Sequence, residues 1–316
     1  MQGPQFSASA VAVVTNCTTR KRSTATPLRL ALSGTPLSVG EVASAWLRQV
    51  AAQPVRAVAS EVYVGRPIVD SQRVVAELSA DFFVVSAGLG LVSGREPIPN
   101  YDLTVSPGQS TINTALATLR ATPSDWWLAL GQAKNSNLLL NDLVRCRPGS
   151  KVFIALPSSY LAMVEGDLKS IPATCAQQLL IFTSTAGFTK VPIHLRDAVM
   201  PYDDRLEGLV GHAGTRSDFP QRAMRHFVSV LKGQNLAREV ARATVLACMS
   251  ATQKPVIPVR QRLSDSEISE KLRVAWVQHG GSSTRLLRFL RDTTGVACEQ
   301  GRFRGLWQSL KIEMTE

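Results

Sequence analysis

Two short polar stretches hold the residue types from which a reactive centre could be built. The first, Thr15-Asn16-Cys17-Thr18-Thr19-Arg20-Lys21-Arg22, follows an apolar run from Ala10 to Val14. Three adjacent cations at a strand end can grip phosphate, and Asn16 and Thr18 offer donors and acceptors beside them. Neighbouring cations can also activate a thiol as a nucleophile, but no histidine lies near Cys17 in the chain. Small cysteines at strand ends are often simply packed, and that reading is the one adopted for Cys17. Lys21 is the only lysine of either stretch and so the only local amine that could attack a sugar. Between Arg20 and Arg22 it reads as one part of a solvated phosphate clamp, so water is the expected nucleophile.

The second stretch runs from Ser86 to Asp102. Gly88, Gly90 and Gly94 would let the backbone approach a ligand closely. Their spacing is not that of a dinucleotide-binding turn, and no acidic residue follows at the ribose position. Pro99-Asn100-Tyr101-Asp102 then sets an aromatic ring beside a carboxylate. Such a pair suits cleavage of an N-glycosidic bond, in which the sugar loses its base and develops positive charge at the anomeric carbon. A carboxylate stabilises that charge and orients water, while a ring stacks on the base. The same four residues can equally close an Asx turn. The expected roles are Asp102 at the sugar, Tyr101 stacked on the base and Asn16 contacting it. Cys17, Thr18, Ser86, Gly88 and Gly90 would line the substrate pocket, with His212 entering from a glycine-flanked loop.

Basic residues elsewhere supply a nucleic-acid footprint. Arg222, Arg225 and His226 fall on one face of a helix at i, i+3 and i+4, preceded by Arg216. Arg285, Arg288 and Arg291 recur every third residue in the tail, and Arg302 and Arg304 follow. The chain of 316 residues carries a formal charge of +11, and such an excess concentrates polyanions around a protein. Double-stranded DNA is the expected partner. No eighteen-residue apolar run exists, so no membrane partner is expected. Met1 to Ala10 lacks the basic and apolar regions of a signal peptide. Five scattered cysteines and four scattered histidines suggest free thiols in the cytoplasm, with neither a metal nor an organic cofactor.

The positioning elements follow from the apolar pattern. Runs at Ala10–Val14, Phe82–Ala87, Val152–Leu156 and Leu179–Thr183 read as buried strands, and Val191–His194 as an edge strand. Helical spacing over Val39–Ala52, Val69–Leu78, Ile112–Thr122, Asp125–Leu130 and Leu236–Met249 separates or follows them. Strands alternating with helices predict a mostly parallel sheet covered on both faces, with its ligand outside the strands' carboxyl ends. Pro255 and Pro258 mark a linker. Beyond Leu263, three short helices with glycine-marked turns follow, a helix-turn-helix pattern whose first helix opens on the capping box Ser264–Glu267. The expected division is an α/β domain over residues 1–253 and a basic helical module over 254–316.

The strand ending in Asn16-Cys17-Thr18-Thr19-Arg20-Lys21 resembles the Ser-Cys-Ser-x-x-Lys signature of a bacterial family, with Asn16 in place of its first serine. Ser86-Ala87-Gly88-Leu89-Gly90-Leu91, followed by Pro99-Asn100-Tyr101-Asp102, is similar to that family's Leu-Ser-Ala-x-x-Gly-Leu and Pro-Tyr-Asp, with Asn100 inserted. Related domains accompany archaeosine tRNA-guanine transglycosylases. They are similar in fold to uracil-DNA glycosylases, and some relatives look like phage-defence glycosylases that remove modified bases. The resemblance spans the first 110 residues or so and implies a Rossmann-like, uracil-DNA-glycosylase-like sheet. The expected function is a monofunctional DNA N-glycosylase acting on a flipped-out, modified base in antiphage defence. Two alternatives stand beside it: a non-catalytic DNA-binding regulator or accessory protein, and a nucleoside or tRNA base transferase.

Overall fold

The strand Val11–Asn16 opens on four apolar residues, Val11 to Val14, that serve both faces, because it lies in the middle of a five-stranded sheet. We label this strand β1, Asp81–Ser86 β2, Gly90–Ser93 β3, Lys151–Ala155 β4 and Leu179–Phe182 β5. The order is β3-β2-β1-β4-β5, parallel throughout except for β3, which returns antiparallel along β2. The computed structural model describes residues 9–23, 25–31, 38–55, 57–134, 139–254 and 259–314. Pro255, Pro258 and most of Met1–Ala10 lie outside them.

Side chains of β1 alternate between two cores, as a pleated strand requires. Ala12 and Val14 face Trp46, Trp126 and Trp127, while Val13 faces Phe153, Phe182 and Phe227. Trp46 comes from the helix Val39–Ala51, opened by a Ser38–Glu41 capping box. Trp126 and Trp127 come from the helix Pro123–Ala133, opened by Thr122 and Asp125 in the same way. Phe219–Arg225 and Arg238–Ala251 cover the other face. The chain leaves β1 for β2 on one side and later returns to β4 on the other. The carboxyl ends of β1 and β4 therefore flank the point where the connections diverge, the usual ligand position of such sheets.

Two elements differ from the expectation. The glycine-rich stretch closes β2 and then opens a strand that was not expected: Gly90, with φ +73°, begins β3, which turns back antiparallel. Val191–His194 is not an edge strand. Pro192, which has no amide hydrogen for a ladder, leads instead into a 3-10 turn over Ile193–Ala198.

The chain separates into two compact units, Met1–Pro255 and Val256–Glu316. In the second, helices Asp265–Ala275, Ser283–Arg288 and Gln300–Glu313 enclose Ile268, Leu272, Leu286, Leu290, Phe303 and Leu310. Gly280, Gly281 and Gly295 all have positive φ, the left-handed conformation that lets a helix end abruptly. The Ser264–Glu267 capping box is present as the spacing predicts. Among the described residues, no helix is long and apolar enough to cross a membrane.

Candidate active site

Both signature stretches emerge at the carboxyl edge of the sheet, and their side chains meet there. The amide of Cys17 donates to the Val85 carbonyl at 2.9 Å, carrying the β1–β2 pairing one residue past the strand. The loop then runs beside Val62–Val64, with Arg22 N donating to Val62 O and Val64 N to Arg20 O. These main-chain bonds fix Lys21 between them. Its ammonium donates to Thr18 O at 3.2 Å and sits 4.1 Å from the centre of the Tyr101 ring.

Below the ammonium lies a chain of hydroxyls. Tyr101 Oη is 2.5 Å from Ser86 Oγ and 2.7 Å from Tyr63 Oη. Ser86 Oγ in turn accepts from the amides of Gly88 and Leu89. Tyr160, from the helix after β4, completes the group with its hydroxyl 3.1 Å from Cys17 Sγ. Three of the chain's four tyrosines thus gather around one thiol and one amine. Burial pushes the pKa of all three phenols upward, so they remain protonated donors. Burial also lowers the pKa of Lys21, against the opposing pull of Cys17 and Asp102.

Asp102 points the other way, because consecutive strand residues face opposite sides. Tyr101 and Asp102 pair with Leu28 and Arg29 in a two-residue ladder. The carboxylate accepts from Ser110 Oγ at 2.5 Å and lies 3.4 Å from Arg29 Nε. It lines a cleft of about 340 Å3 with Arg29, Gln109, Ser110, Thr111 and Thr114. This is a polar, open site in which a carboxylate and several hydroxyls face one space.

Several expected roles change. Tyr101 is only 1% exposed, with Lys21 on its face and Trp46 and Tyr63 at its edges, so it offers no platform to a base. Asn16 is buried and both ends of its amide are used: Oδ1 accepts from Gln221, and Nδ2 donates to Cys17 O. Ser86, Gly88 and Gly90 are also buried. Gly88 makes room for Tyr101, since a Cβ there would lie 2.7 Å from the ring, and its carbonyl takes the Trp46 indole at 2.6 Å. Gly94 similarly clears Phe82. Cys17 is buried, and Thr18 turns its hydroxyl to Arg20 O. Lys21 is half-buried rather than solvated, whereas Arg20 and Arg22 are exposed.

The Arg222–Arg225–His226 face points inward. Arg222 is 0% exposed and ion-paired with Glu207 and Asp218, each at 2.7 Å, and it donates to the carbonyls of His212 and Thr215. Arg225 pairs with Asp70 at 2.9 Å. His226 is held by Tyr202 Oη at 2.9 Å and packs edge-on against His212, 4.9 Å between ring centres. Burial, with help from Arg225, lowers His212 to about 4, and burial with His212 lowers His226 to about 4. Both are buried and held by neighbouring side chains, so neither is presented on a basic surface. Arg216, in the loop before them, is exposed.

In the second unit, the helix bearing Arg288 and the helix Gln300–Glu313 border a cleft of about 840 Å3. Arg260, Arg288, Arg291, Arg304 and Trp307 line it. Arg291 donates to Cys298 O and Arg302 is tied to Asp265. Arg285, Arg288 and Arg304 are exposed and make no side-chain hydrogen bond or ion pair among the described residues.

The chain matches no protein-family model, no curated protein and no solved structure. Four participants were not singled out in the sequence: Tyr63, Tyr160, Arg29 and Ser110. Tyr160 follows the strand beside the point of divergence, Lys151–Ala155, so a topological argument could have reached it. Tyr63, Arg29 and Ser110 arrive only through tertiary pairing.

Proposed function

We propose that the chain is a DNA N-glycosylase that releases a modified nucleobase from a flipped-out nucleotide, in defence against foreign DNA. The observation that carries this reading is the meeting of Cys17 and Lys21 with Ser86 and Tyr101 at the carboxyl edge of the sheet, beside the Asp102 cleft. Residues far apart in the sequence, drawn from both signature stretches, thus form one centre. That supports membership of the bacterial family they resemble and its uracil-DNA-glycosylase-like fold.

Asp102 is the catalytic carboxylate of this proposal. Held by Ser110, it faces the anomeric carbon and stabilises the positive charge that grows as the glycosidic bond lengthens, while water takes the leaving base's place. Gln109, Ser110, Thr111 and Thr114 provide the polar edges against which a base is read. Arg29 stands beside the carboxylate on the same side of the cleft. Arg20 and Arg22 contact phosphates near the site, and Arg285, Arg288 and Arg304 grip the duplex from the second unit, read as a helix-turn-helix-like module. The test is incubation with unmodified and phage-modified duplex DNA, followed by probing for abasic sites. Abasic sites confined to the modified DNA support the reading. Binding without base release would favour a regulator instead.

A further inference from the structure

We propose that Lys21 forms a Schiff base with the sugar of an abasic site, giving the chain a lyase activity alongside base release. The inference rests on the glycosylase reading only for the identity of the sugar; its chemistry comes from how this one amine is held.

Four of the other lysines, Lys134, Lys169, Lys232 and Lys254, are ion-paired to carboxylates. Lys21 has no carboxylate within ion-pair distance among the described residues. Its one hydrogen bond runs to a main-chain carbonyl, and it rests on an aromatic face. An ammonium in water loses little by staying charged, whereas a half-buried one with no carboxylate in ion-pair contact loses more, and burial outweighs the pull of Cys17 and Asp102, so its proton becomes easier to remove. The main-chain bonds on either side of Lys21 fix the amine's position instead of leaving it on a mobile surface arm. A fixed, partly dehydrated amine on a half-exposed side chain is what imine chemistry requires.

The reaction balances without oxidant or cofactor. The neutral amine adds to the C1′ aldehyde of the opened abasic sugar, and loss of water, with a proton taken up from solvent, leaves a protonated imine. Departure of the C2′ proton to solvent drives the electron pair toward C3′, and the C3′–O bond breaks with phosphate as leaving group. Water then hydrolyses the imine and returns the amine. Base release itself uses water and Asp102, and a preformed abasic site needs no base release, so the lyase step is read by itself.

The experiment uses the full chain and a duplex oligonucleotide with a preformed abasic site, reduced with borohydride. The expected result is a protein–DNA adduct stable to denaturing electrophoresis, mapped by peptide mass to Lys21. It should fall at least tenfold in Lys21→Ala and in the charge-conserving Lys21→Arg, and persist in Lys190→Ala, an exposed lysine. Circular dichroism of each variant reports folding. No adduct above the Lys21→Ala level, or an adduct mapped to another lysine, overturns the proposal. An adduct at Lys21 without base release from modified DNA would instead defeat the glycosylase reading and leave this one standing. Base release without an adduct would do the reverse.

Discussion

Arg222 and Lys21 are both cations drawn out of bulk water, yet their surroundings differ in kind. Arg222 meets Glu207 and Asp218 and two main-chain carbonyls, so its charge is compensated on every side. Lys21 meets a ring face and a single carbonyl, among hydroxyls and a thiol. Both clusters would look functional to a search for buried titratable residues. The one whose charges cancel holds the fold together. The one whose amine has no carboxylate in ion-pair contact has its protonation shifted chiefly by burial, a property reactive groups need.

The largest effect expected from this contrast is on stability. Arg222→Met keeps much of the aliphatic stem but leaves the carboxylates of Glu207 and Asp218 unpaired. Breaking a buried pair in this way should cost about 3 kcal/mol in denaturant unfolding. A loss under roughly 1 kcal/mol, the range of an exposed ion pair, would mean that the pairing is not structural.

Lys21→Met should move stability the other way, because it removes a desolvated cation. The folded pKa of Lys21 lies below its ordinary value of 10.5, so the native state carries the cost of the buried charge wherever Lys21 is protonated. The gain from methionine is therefore greatest near neutral pH and fades as pH rises through the lowered pKa toward 10.5. Thermal unfolding of both proteins from pH 7 to 10.5 measures it, and a gain that grows with pH would contradict the assignment.

Acid should act through the other cluster. His212 and His226 have folded pKa values of about 4, below the ordinary 6.5, so the unfolded chain takes up protons first as pH falls. Their contribution is complete above 6.5 and lost as pH drops toward 4, and His226→Gln should flatten that part of the stability profile.

The smallest effect concerns the second unit. Arg288→Ala and Arg304→Ala together should lower the log–log salt slope of DNA binding by about two, close to one per phosphate contact. An unchanged slope would remove the arginine cleft from the interface.

Much of this was legible in the sequence where burial is two-sided. The runs at Val11, Phe82, Val152 and Leu179 are apolar because both faces of the sheet are covered, and a short run bounded by polar turns marks such strands directly. The two loops could be read because their polar residues follow the strands at the sheet's carboxyl edge. The direction in which Arg222, Arg225 and His226 point could not be read. Helical spacing puts them on one face, but Asp70, which pairs with Arg225, and Tyr202, which holds His226, come from separate segments. The same limit misplaced Tyr101 and Lys21: a ring and a cation in polar loops look solvated until Tyr63 and Trp46 close on the ring and the ring meets the amine.

The most direct test of the central claim is single-turnover base release from duplex DNA carrying phage-type modified bases, with wild type and Asp102→Asn compared at equal DNA occupancy. Asp102 sits in an open cleft, so the substitution should leave fold and affinity intact while release slows by about a hundredfold or more, the scale of a lost electrostatic or acid–base contribution. Release by Asp102→Asn at the wild-type rate, or no release by wild type from any modified duplex it binds, would contradict the assignment of this site.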